Sequence, residues 1–260
     1  MRLATWNVNS IRTRVDRVID FLRRSGTDVL AMQETKCRDE QFPLLAFHEA
    51  GYEVACHGLS QWNGVAVASR VGLSDITPGF DGMPTWGEPA ATEARALGVT
   101  AGGVRVWSLY VPNGRELAHP HYQYKLDWLA ALRSAADGWL TADPGAAVAL
   151  VGDWNIAPLD SDVWDIAAFA GATHVSPAER QAFAALADAG FHEVTRQHVP
   201  DAYTYWDYQR LRFPRNEGMR IDFTLASPAL AGRVTSAHIA RDERKGTRPS
   251  DHVPVVVDLT

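Results

Sequence analysis

Residues 146–160 read AAVALVGDWNIAPLD, an apolar run that breaks into polar sequence after Gly152. Small and β-branched residues ending in glycine are typical of a buried strand, so the polar side chains that follow lie at its carboxyl end. If the extended backbone continues, Asp153 and Asn155 point to one side of the strand and Trp154 points to the other. This arrangement favours a divalent cation or a phosphate at the strand end.

The overall composition predicts one domain spanning residues 1–260. The chain is 46% hydrophobic, which is ample for a sizeable core, and no Pro/Gly/Ser-rich linker divides it. The start, MRLATWNVNS, does not have the pattern of a signal peptide, and no apolar run approaches the roughly 18 residues of a membrane span. We expect a soluble, cytoplasmic protein that has no membrane contact and is a monomer.

The order of the predicted strands and helices favours an α/β (α+β) fold with two mixed or antiparallel sheets and helices outside them. Strands come in pairs and runs between long helices, which argues against a doubly wound parallel sheet. Ser10 is the expected N-cap of the first helix, which Gly26 ends. Further helices are predicted over residues 43–50, 122–140 and 177–189. Strands are predicted over residues 2–8, 28–33, 52–57, 64–69, 94–100, 104–111, 191–195, 220–226, 234–240 and 252–259, and in the run that begins at 146.

Polar side chains recur at the ends of these predicted strands. A single Asp after a strand is usually a turn or cap residue, but repetition at six strand ends indicates a shared site. Carboxylates and amides dominate, with one His and no Cys, and this ligand set suits Mg²⁺ or Mn²⁺ better than zinc. A cation held there neutralises a substrate phosphate. The set consists of Asn7, Asn9, Glu34, Tyr110, Asp153, Asn155, Asp222, Asp251 and His252.

The distribution of charge decides whether a nucleic acid is a plausible partner. The net charge is −6, which alone argues against one. Between Tyr205 and Arg248, however, nine basic and five acidic residues give +4, so the rest of the chain carries −10. A basic region of this kind is able to follow a phosphate backbone. Within it Arg210, Arg212 and Arg215 are predicted to contact phosphates, and a solvated loop is the alternative.

Five short motifs occur in order over nearly the whole chain: WNVNSIR at 6–12, QETK at 33–36, GDWN at 152–155, RID at 220–222 and SDH at 250–252. At these residues the chain resembles the exonuclease III branch of the endonuclease/exonuclease/phosphatase superfamily. GDWN alone is common to many phosphoesterases, but YVPN at 110–113, WDY at 206–208 and RNEGMRID at 215–222 narrow the resemblance to the DNA-repair branch. The resemblance implies a four-layered α/β sandwich of two mixed sheets flanked by helices.

The resemblance also implies a Mg²⁺-dependent nuclease in which Mn²⁺ is able to replace Mg²⁺. Such enzymes act on double-stranded DNA, cut 5′ to abasic sites, remove nucleotides 3′→5′ and clear 3′-blocking groups. Carried over by position, Glu34 is the main metal ligand, assisted by Asn7 and Asp251. Further candidate ligands are Asp153, Asn155 and His252.

The catalytic roles that the resemblance implies fall on the same strand ends. Asp153 orients and deprotonates the attacking water, with Asn155 beside it. His252, paired with Asp222, contacts the scissile phosphate, and Tyr110 contacts the phosphate or helps the leaving oxygen. The number of metal ions stays open, as does the choice between Asp153 and His252 as general base.

A specificity region is predicted over residues 203–221. Tyr205 and Trp206, with Met219 and Ile221, are placed to wall an apolar slot for a sugar lacking its base, reached by flipping the nucleotide out of the duplex. Ordinary packing of the aromatic rings on a strand face is the alternative.

Two further features follow Tyr110. Asn113, the last residue of the YVPN stretch, and Arg115 lie where they are able to reach DNA. His119 and His121 are spaced like a pair of metal ligands, but Pro120 and the missing carboxylate partners favour a surface loop.

Two other functions are compatible with parts of this pattern. One is a phosphoesterase of the same superfamily that acts on an inositol phosphate or a phospholipid headgroup, and the basic region and apolar slot favour DNA over it. The other is a non-catalytic binding module. Every expected site position is filled, which argues against that module.

Overall fold

Twelve strands form two six-stranded mixed sheets in the computed structural model, which describes residues 1–260. The strands are β1 (Arg2–Asn7), β2 (Val29–Gln33), β3 (Glu53–His57), β4 (Val65–Ser69), β5 (Ser74–Pro78), β6 (Ala96–Ala101), β7 (Val104–Tyr110), β8 (Val148–Asp153), β9 (His192–Glu193), β10 (Asp222–Ala226), β11 (Val234–Ile239) and β12 (Val255–Leu259). The first sheet has the order β11-β12-β1-β2-β4-β3, and the second has the order β5-β6-β7-β8-β10-β9. Each sheet contains one parallel pair, β1 with β2 and β7 with β8.

Five α-helices and four short 3₁₀ helices complete the fold. The α-helices are α1 (Ile11–Ser25), α2 (Leu44–Glu49), α3 (Pro120–Ala142), α4 (Pro177–Ala184) and α5 (Pro228–Ala231). The 3₁₀ helices are Asp39–Gln41, Asp160–Asp162, Ile166–Phe169 and Arg241–Arg244. None of the helices combines the length and the apolar character needed to cross a bilayer.

Three apolar layers hold the sheets and helices together, and their compositions differ. The 18 buried residues between the two sheets are all Val, Leu or Ala, because small side chains let two sheets pack face to face. The outer layers contain the large aromatic residues, such as Trp6 under α1 and Trp128 of α3 against the second sheet. The order helix, sheet, sheet, helix confirms the four-layered α/β sandwich.

Side-chain alternation along the strands decides which polar residues reach the space between the sheets. On β8, Ala149 and Val151 face the other sheet and Leu150 faces the helices, so the next inter-sheet residue is Asp153. The same count by two places Asn7 of β1, Gln33 of β2, Tyr110 of β7 and Asp222 of β10 in inter-sheet rows. The polar residues therefore close one end of the inter-sheet layer.

One polar contact crosses the apolar layer between the sheets. Gln33 Nε2 donates to Ser108 Oγ at 3.0 Å, and Ser108 Oγ donates to the carbonyl of Met32 at 2.9 Å. Gln33 also donates to Thr5 Oγ1 at 3.0 Å. Because all these groups are buried, their hydrogen bonds are stronger than they would be in water. The bonds also favour one alignment of the two sheets.

Several element boundaries differ from those that the sequence predicts. Strand β5 was not predicted, because its exposed residues do not alternate in hydrophobicity. Helix α4 ends at Ala184 instead of residue 189, and turns lead on to Gly190. Ser10 precedes α1 but makes no capping bond to the helix backbone, because its φ is 87° and its hydroxyl lies 3.1 Å from Thr13 Oγ1.

Gly152 is required by a close approach between β7 and β8. A Cβ atom at this position would lie 1.9 Å from the carbonyl oxygen of Leu109, and backbone cannot yield as a flexible side chain does. We expect Gly152→Ala to lower the free energy of unfolding by about 1–3 kcal/mol or more, measured by denaturant titration. Gly138→Ala is the control, since nothing lies within 4 Å of its Cβ position in α3. The control is expected to stabilise the chain by about 0.5–1 kcal/mol; equal effects would contradict the assignment.

Candidate active site

A carboxylate–imidazole cluster lies where the strand ends of the two sheets meet. Ligand atoms of Glu34, Asp153 and His252 all lie within 4.8 Å of one another. Asn7 joins two of them, since its Nδ2 donates to Glu34 Oε1 at 2.8 Å and to Asp153 Oδ2 at 2.9 Å. Asn7 is 0% exposed and Asp153 is 1% exposed, so the polar groups have little access to bulk water. The structure thus brings together residues predicted from motifs that are far apart in the sequence.

His252 is held between two carboxylates. Its Nδ1 lies 2.8 Å from Asp222 Oδ2, and its Nε2 lies 3.7 Å from Asp153 Oδ2. Thr204 Oγ1 donates to the same oxygen of Asp222 at 2.6 Å, which fixes that carboxylate. Burial lowers the pKa of His252, but the charges of Asp222 and Asp153 outweigh it and raise the pKa to about 10. The imidazolium form is therefore favoured at neutral pH.

The two carboxylates of the cluster, Glu34 and Asp153, differ in their pKa. Burial raises the pKa of Asp153 to about 7, against the opposing charge of His252. Burial also acts to raise the pKa of Glu34, but the Lys36 charge and the Asn7 hydrogen bond outweigh it, so that the pKa is lowered. Lys36 Nζ lies 2.7 Å from Glu34 Oε2. Glu34 is therefore ionised at neutral pH, while Asp153 is able to exchange a proton there.

These donors fit a hard divalent cation. Two carboxylates converge on one buried space, and a cation between them relieves their mutual repulsion. The donor set contains oxygen atoms and one imidazole but no thiolate, which favours Mg²⁺ or Mn²⁺ over softer metals. Asp251 lies at the edge of this cluster, where its Oδ1 accepts a hydrogen bond from Asn9 Nδ2 at 3.0 Å. Its role as a ligand stays a prediction.

Asn155 belongs to a second polar group beside the carboxylates. Its backbone N–H donates to Asp153 Oδ1 at 2.9 Å, with its own φ at 50°. Its side-chain Oδ1 accepts from Asn113 Nδ2 at 3.2 Å and lies 3.1 Å from His174 Nε2, and its Nδ2 donates to the carbonyl of Val111 at 3.0 Å. Asn155, Asn113 and His174 are named the amide–imidazole group below. The role of Asn155 as a metal ligand stays a prediction.

Tyr110 lies at the end of the inter-sheet row of β7, beside the cluster. The Arg95 guanidinium carbon lies 4.8 Å from the centre of its ring. Burial and the nearby Glu34 charge raise the pKa of Tyr110 well above its ordinary value, against the opposing charge of Arg95. Its hydroxyl therefore remains protonated and is able to donate a hydrogen bond.

A cavity of about 220 Å³ is lined by two of the four residues that were predicted to wall the apolar slot. Tyr205 and Met219 line it, and the Tyr205 ring centre lies 4.9 Å from that of His252, which places the cavity next to the cluster. Trp206 is not one of its walls. Its indole is 1% exposed and packs against Tyr203 and Phe213, so the packing alternative applies to this residue. The other lining residues are Trp164, Phe169, Asp207, Arg212 and Glu217.

The predicted phosphate-binding arginines differ in their surroundings. Arg210 and Arg215 are exposed in the turns that precede the cavity wall. Arg212 forms an ion pair with Glu217, and its guanidinium carbon lies 4.8 Å from the centre of the Trp164 ring. Arg212 is therefore a partly neutralised rim residue, whereas the other two present free charge. Arg115, beyond Asn113, is likewise exposed.

The predicted surface loop at His119 and His121 is wrong. His119 is the N-cap of α3, and its Nδ1 accepts from the His121 N–H at 3.0 Å. His121 is 4% exposed, accepts from the Gly114 N–H at 3.1 Å and packs edge-on against Trp86. Proline at the first helical position is common, and this signal was available in the sequence. Neither residue lies in the carboxylate cluster.

Several residues of the site were not predicted. Lys36 lies in the QETK motif, where its position two residues after a strand-end carboxylate was the available signal. His174 has a φ of 77°, and Arg95 follows a loop; neither stands in a pattern that marks it. Arg14 and Tyr208 contact each other at 2.9 Å near Asn9, although they are 194 residues apart. Such contacts depend on the tertiary fold.

Comparison with known proteins agrees with this geometry. The model of the endonuclease/exonuclease/phosphatase family matches residues 4–252. The chain is 30% identical over 270 residues to exodeoxyribonuclease III of Haemophilus influenzae and 32% identical over 263 residues to an exodeoxyribonuclease of Bacillus subtilis, with 98% of each chain covered in both cases.

Solved structures extend the comparison to the fold. NExo, a 3′ phosphatase from Neisseria determined with a product DNA hairpin, matches with a TM-score of 0.93 and 35% identity. An AP endonuclease from Archaeoglobus fulgidus matches with a TM-score of 0.91 and 34% identity. Each match covers 100% of this chain and 99% of the other.

The family model and these matches place the chain in the endonuclease/exonuclease/phosphatase family. Its two packed mixed sheets, with a carboxylate–imidazole cluster where their strand ends meet, agree with this assignment. Within that family it is an enzyme of the exodeoxyribonuclease III and AP endonuclease branch. The resemblance found in the sequence motifs is thereby confirmed.

Proposed function

We propose that this enzyme is a DNA-repair nuclease that hydrolyses phosphodiesters 5′ to abasic sites and removes nucleotides or blocking groups from DNA 3′ ends, with Mg²⁺ or Mn²⁺ as cofactor. The observation that supports this best is the convergence of Glu34, Asp153 and His252 within 4.8 Å, beside a cavity that Tyr205 and Met219 line and close in sequence to the exposed Arg210 and Arg215. The first feature suits phosphodiester hydrolysis, and the second suits a sugar–phosphate chain.

The residues divide the reaction between them. Asp153 accepts the proton of the attacking water, since a base with a pKa near 7 is matched to neutral pH. The choice of Asp153 over His252 as base is supported by the two carboxylates that flank His252, since their charges raise its pKa and favour the imidazolium form. His252 donates to a non-bridging phosphate oxygen, and Tyr110 donates to the phosphate or the leaving oxygen.

The residues that would hold the cation are Glu34, Asn7 and Asp251, with Asp153 and Asn155 as further candidates. His252, as the imidazolium that donates to the phosphate, has no lone pair left for the cation. When bound, the cation supplies charge neutralisation at the phosphate. The chain also aligns the substrate. Tyr205 and Met219 exclude water on one side of the cluster, and Arg210, Arg215, Arg115 and Asn113 fix the duplex through its backbone.

The test is product analysis on three duplexes, carrying an abasic analogue, a nick or a 3′-phosphate, each with Mg²⁺ and with EDTA. We expect cutting of the abasic strand, shortening from the nick, release of phosphate, and loss of all three in EDTA. If the enzyme acts on none of the three duplexes and releases phosphate from an inositol phosphate instead, the assignment of DNA as substrate is contradicted.

Arg215→Ala is expected to weaken duplex binding and to lower the slope of log K against log salt by about one, because each phosphate contact releases about one counterion. Fluorescence anisotropy between low and moderate salt measures this slope. Arg133→Ala, an exposed arginine of α3, is the charge-matched control and should leave the slope unchanged. Equal slopes for both variants would return residue 215 to the alternative of a solvated loop.

A further inference from the structure

Lys125 of α3 and Glu179 of α4 form an ion pair that is sealed from solvent. Both side chains are 0% exposed, and Lys125 Nζ donates to Glu179 Oε1. Burying two charges costs several kcal/mol, and a well-packed apolar pair is often at least as stabilising. The ion pair is therefore poorly explained by helix packing alone, and its other hydrogen bonds indicate a second role.

Those other bonds run to loops that follow or precede the strands of the second sheet. Lys125 Nζ donates to the carbonyl of Asn155 at 2.7 Å and to the carbonyl of Asn113 at 3.2 Å. Glu179 Oε1 accepts from the His174 N–H at 2.9 Å and from Thr173 Oγ1 at 2.6 Å. The pair thus binds the backbone of all three residues of the amide–imidazole group.

The backbone at these positions needs such support. Asn155 has φ 50° and His174 has φ 77°, in the left-handed region, which Asn and His adopt more readily than most residues but at a cost in backbone free energy. Strained conformations of this kind persist only where surrounding contacts determine them. The Asn155 N–H donates in turn to Asp153 Oδ1 at 2.9 Å, so a shift of this loop also moves the carboxylate that acts on water.

We propose that the Lys125–Glu179 ion pair is a positioning device that fixes the amide–imidazole group against Asp153. It acts through backbone carbonyls and an N–H group instead of through contact with substrate. This inference rests on the proposed nuclease function for its effect on turnover, but its structural part, the fixing of the loops, is independent of the substrate.

The test replaces both charges in one variant, Lys125→Met with Glu179→Gln, because removing one charge alone leaves the other buried and unpaired. Gln keeps an acceptor oxygen for Thr173 and His174. The variant therefore loses the donor to residues 113 and 155 and the acceptor of the Ser176 N–H. Leu132→Ala is the matched control. It lies on the same helix about two turns beyond Lys125, is also 0% exposed, makes no hydrogen bond to these loops through its side chain, and its truncation is expected to cost about 2–5 kcal/mol of stability.

Two measurements are made well below the Tm of every variant. Hydrogen exchange followed by mass spectrometry is expected to show faster exchange over residues 113–115 and 155–157 in the double variant only. Turnover at saturating DNA is expected to fall about 10–100-fold, with KM little changed, because displacement by about 1 Å is enough for such a loss. Leu132→Ala should keep the turnover of the unmodified enzyme. If the double variant matches Leu132→Ala in either measurement, the proposal is overturned.

A milder variant covers the case in which the double variant does not fold. Thr173→Val removes one hydrogen bond to Glu179 and leaves both charges in place. Smaller changes in the same direction are expected, and exchange and turnover equal to those of the unmodified enzyme would overturn the proposal. If the unmodified enzyme does not cut DNA, the nuclease proposal fails, and the exchange measurement alone decides the positioning role.

Discussion

Asp153→Asn is expected to lower turnover on abasic duplex DNA by at least about 10²–10⁴-fold, the usual contribution of a general base, while DNA affinity stays close to that of the unmodified enzyme. The substitution removes the proton acceptor and also misplaces the water. In the structure Asp153 accepts from two donors, the Asn155 N–H and Asn7 Nδ2, both at 2.9 Å. An Asn side chain satisfies only one of them with its oxygen and points its NH₂ group at the other.

Single-turnover cleavage with excess enzyme measures the chemical step, and anisotropy of a labelled duplex in EDTA measures binding. Asp137→Asn is the control for the change of charge, since this carboxylate is exposed on α3. Turnover of Asp153→Asn within tenfold of the control would remove Asp153 from the role of base.

Glu34→Ala is expected to raise the Mg²⁺ concentration for half-maximal activity by at least about 10–100-fold, the effect that loss of even a supporting group has at a metal site. Glu34 is the carboxylate of the cluster that is ionised at neutral pH, with Lys36 Nζ 2.7 Å from its Oε2. Its loss leaves the Lys36 ammonium without its carboxylate partner beside the space where a cation would bind, so repulsion adds to the missing ligand.

Metal titration of activity and of Tm gives two readouts, the second of which is independent of catalysis. Glu40→Ala, an exposed acidic residue nearby in the sequence, is the control. A Mg²⁺ titration of Glu34→Ala that overlays the control in both readouts would remove Glu34 from the ligand set.

Most of the fold could be predicted because its signals are local. The apolar run before Gly152 and the helical spacing that ends at Gly26 mark their elements without knowledge of distant contacts. β5 could not be found in this way, because its five residues are exposed and it is held at the edge of the sheet by pairing with β6. Pairing of an exposed strand depends on its neighbour, which local periodicity does not report.

The site could be predicted to the extent that its residues end strands. Asp153 and Glu34 are recognisable because an apolar run stops at a carboxylate, and the motifs add His252. His174 and the Lys125–Glu179 pair could not be predicted, because their partners are fixed by loops and helices that meet only in three dimensions. The aromatic wall shows a subtler limit. Tyr205 lines the cavity, whereas its neighbour Trp206 is buried, and nothing in the local sequence distinguishes the two residues.

The polar contact across the inter-sheet layer has a consequence for how this fold keeps its activity. A slip of one sheet over the other by one residue is a movement of about 3.3 Å, which would separate Asn7 from Asp153, now in contact at 2.9 Å. The Val, Leu and Ala side chains between the sheets are close-packed, so their shapes already resist sliding. Gln33 and Ser108 oppose such a slip, because a hydrogen bond tolerates little lateral displacement. The activity of this enzyme therefore depends on how the two sheets are aligned, as well as on the side chains at their ends.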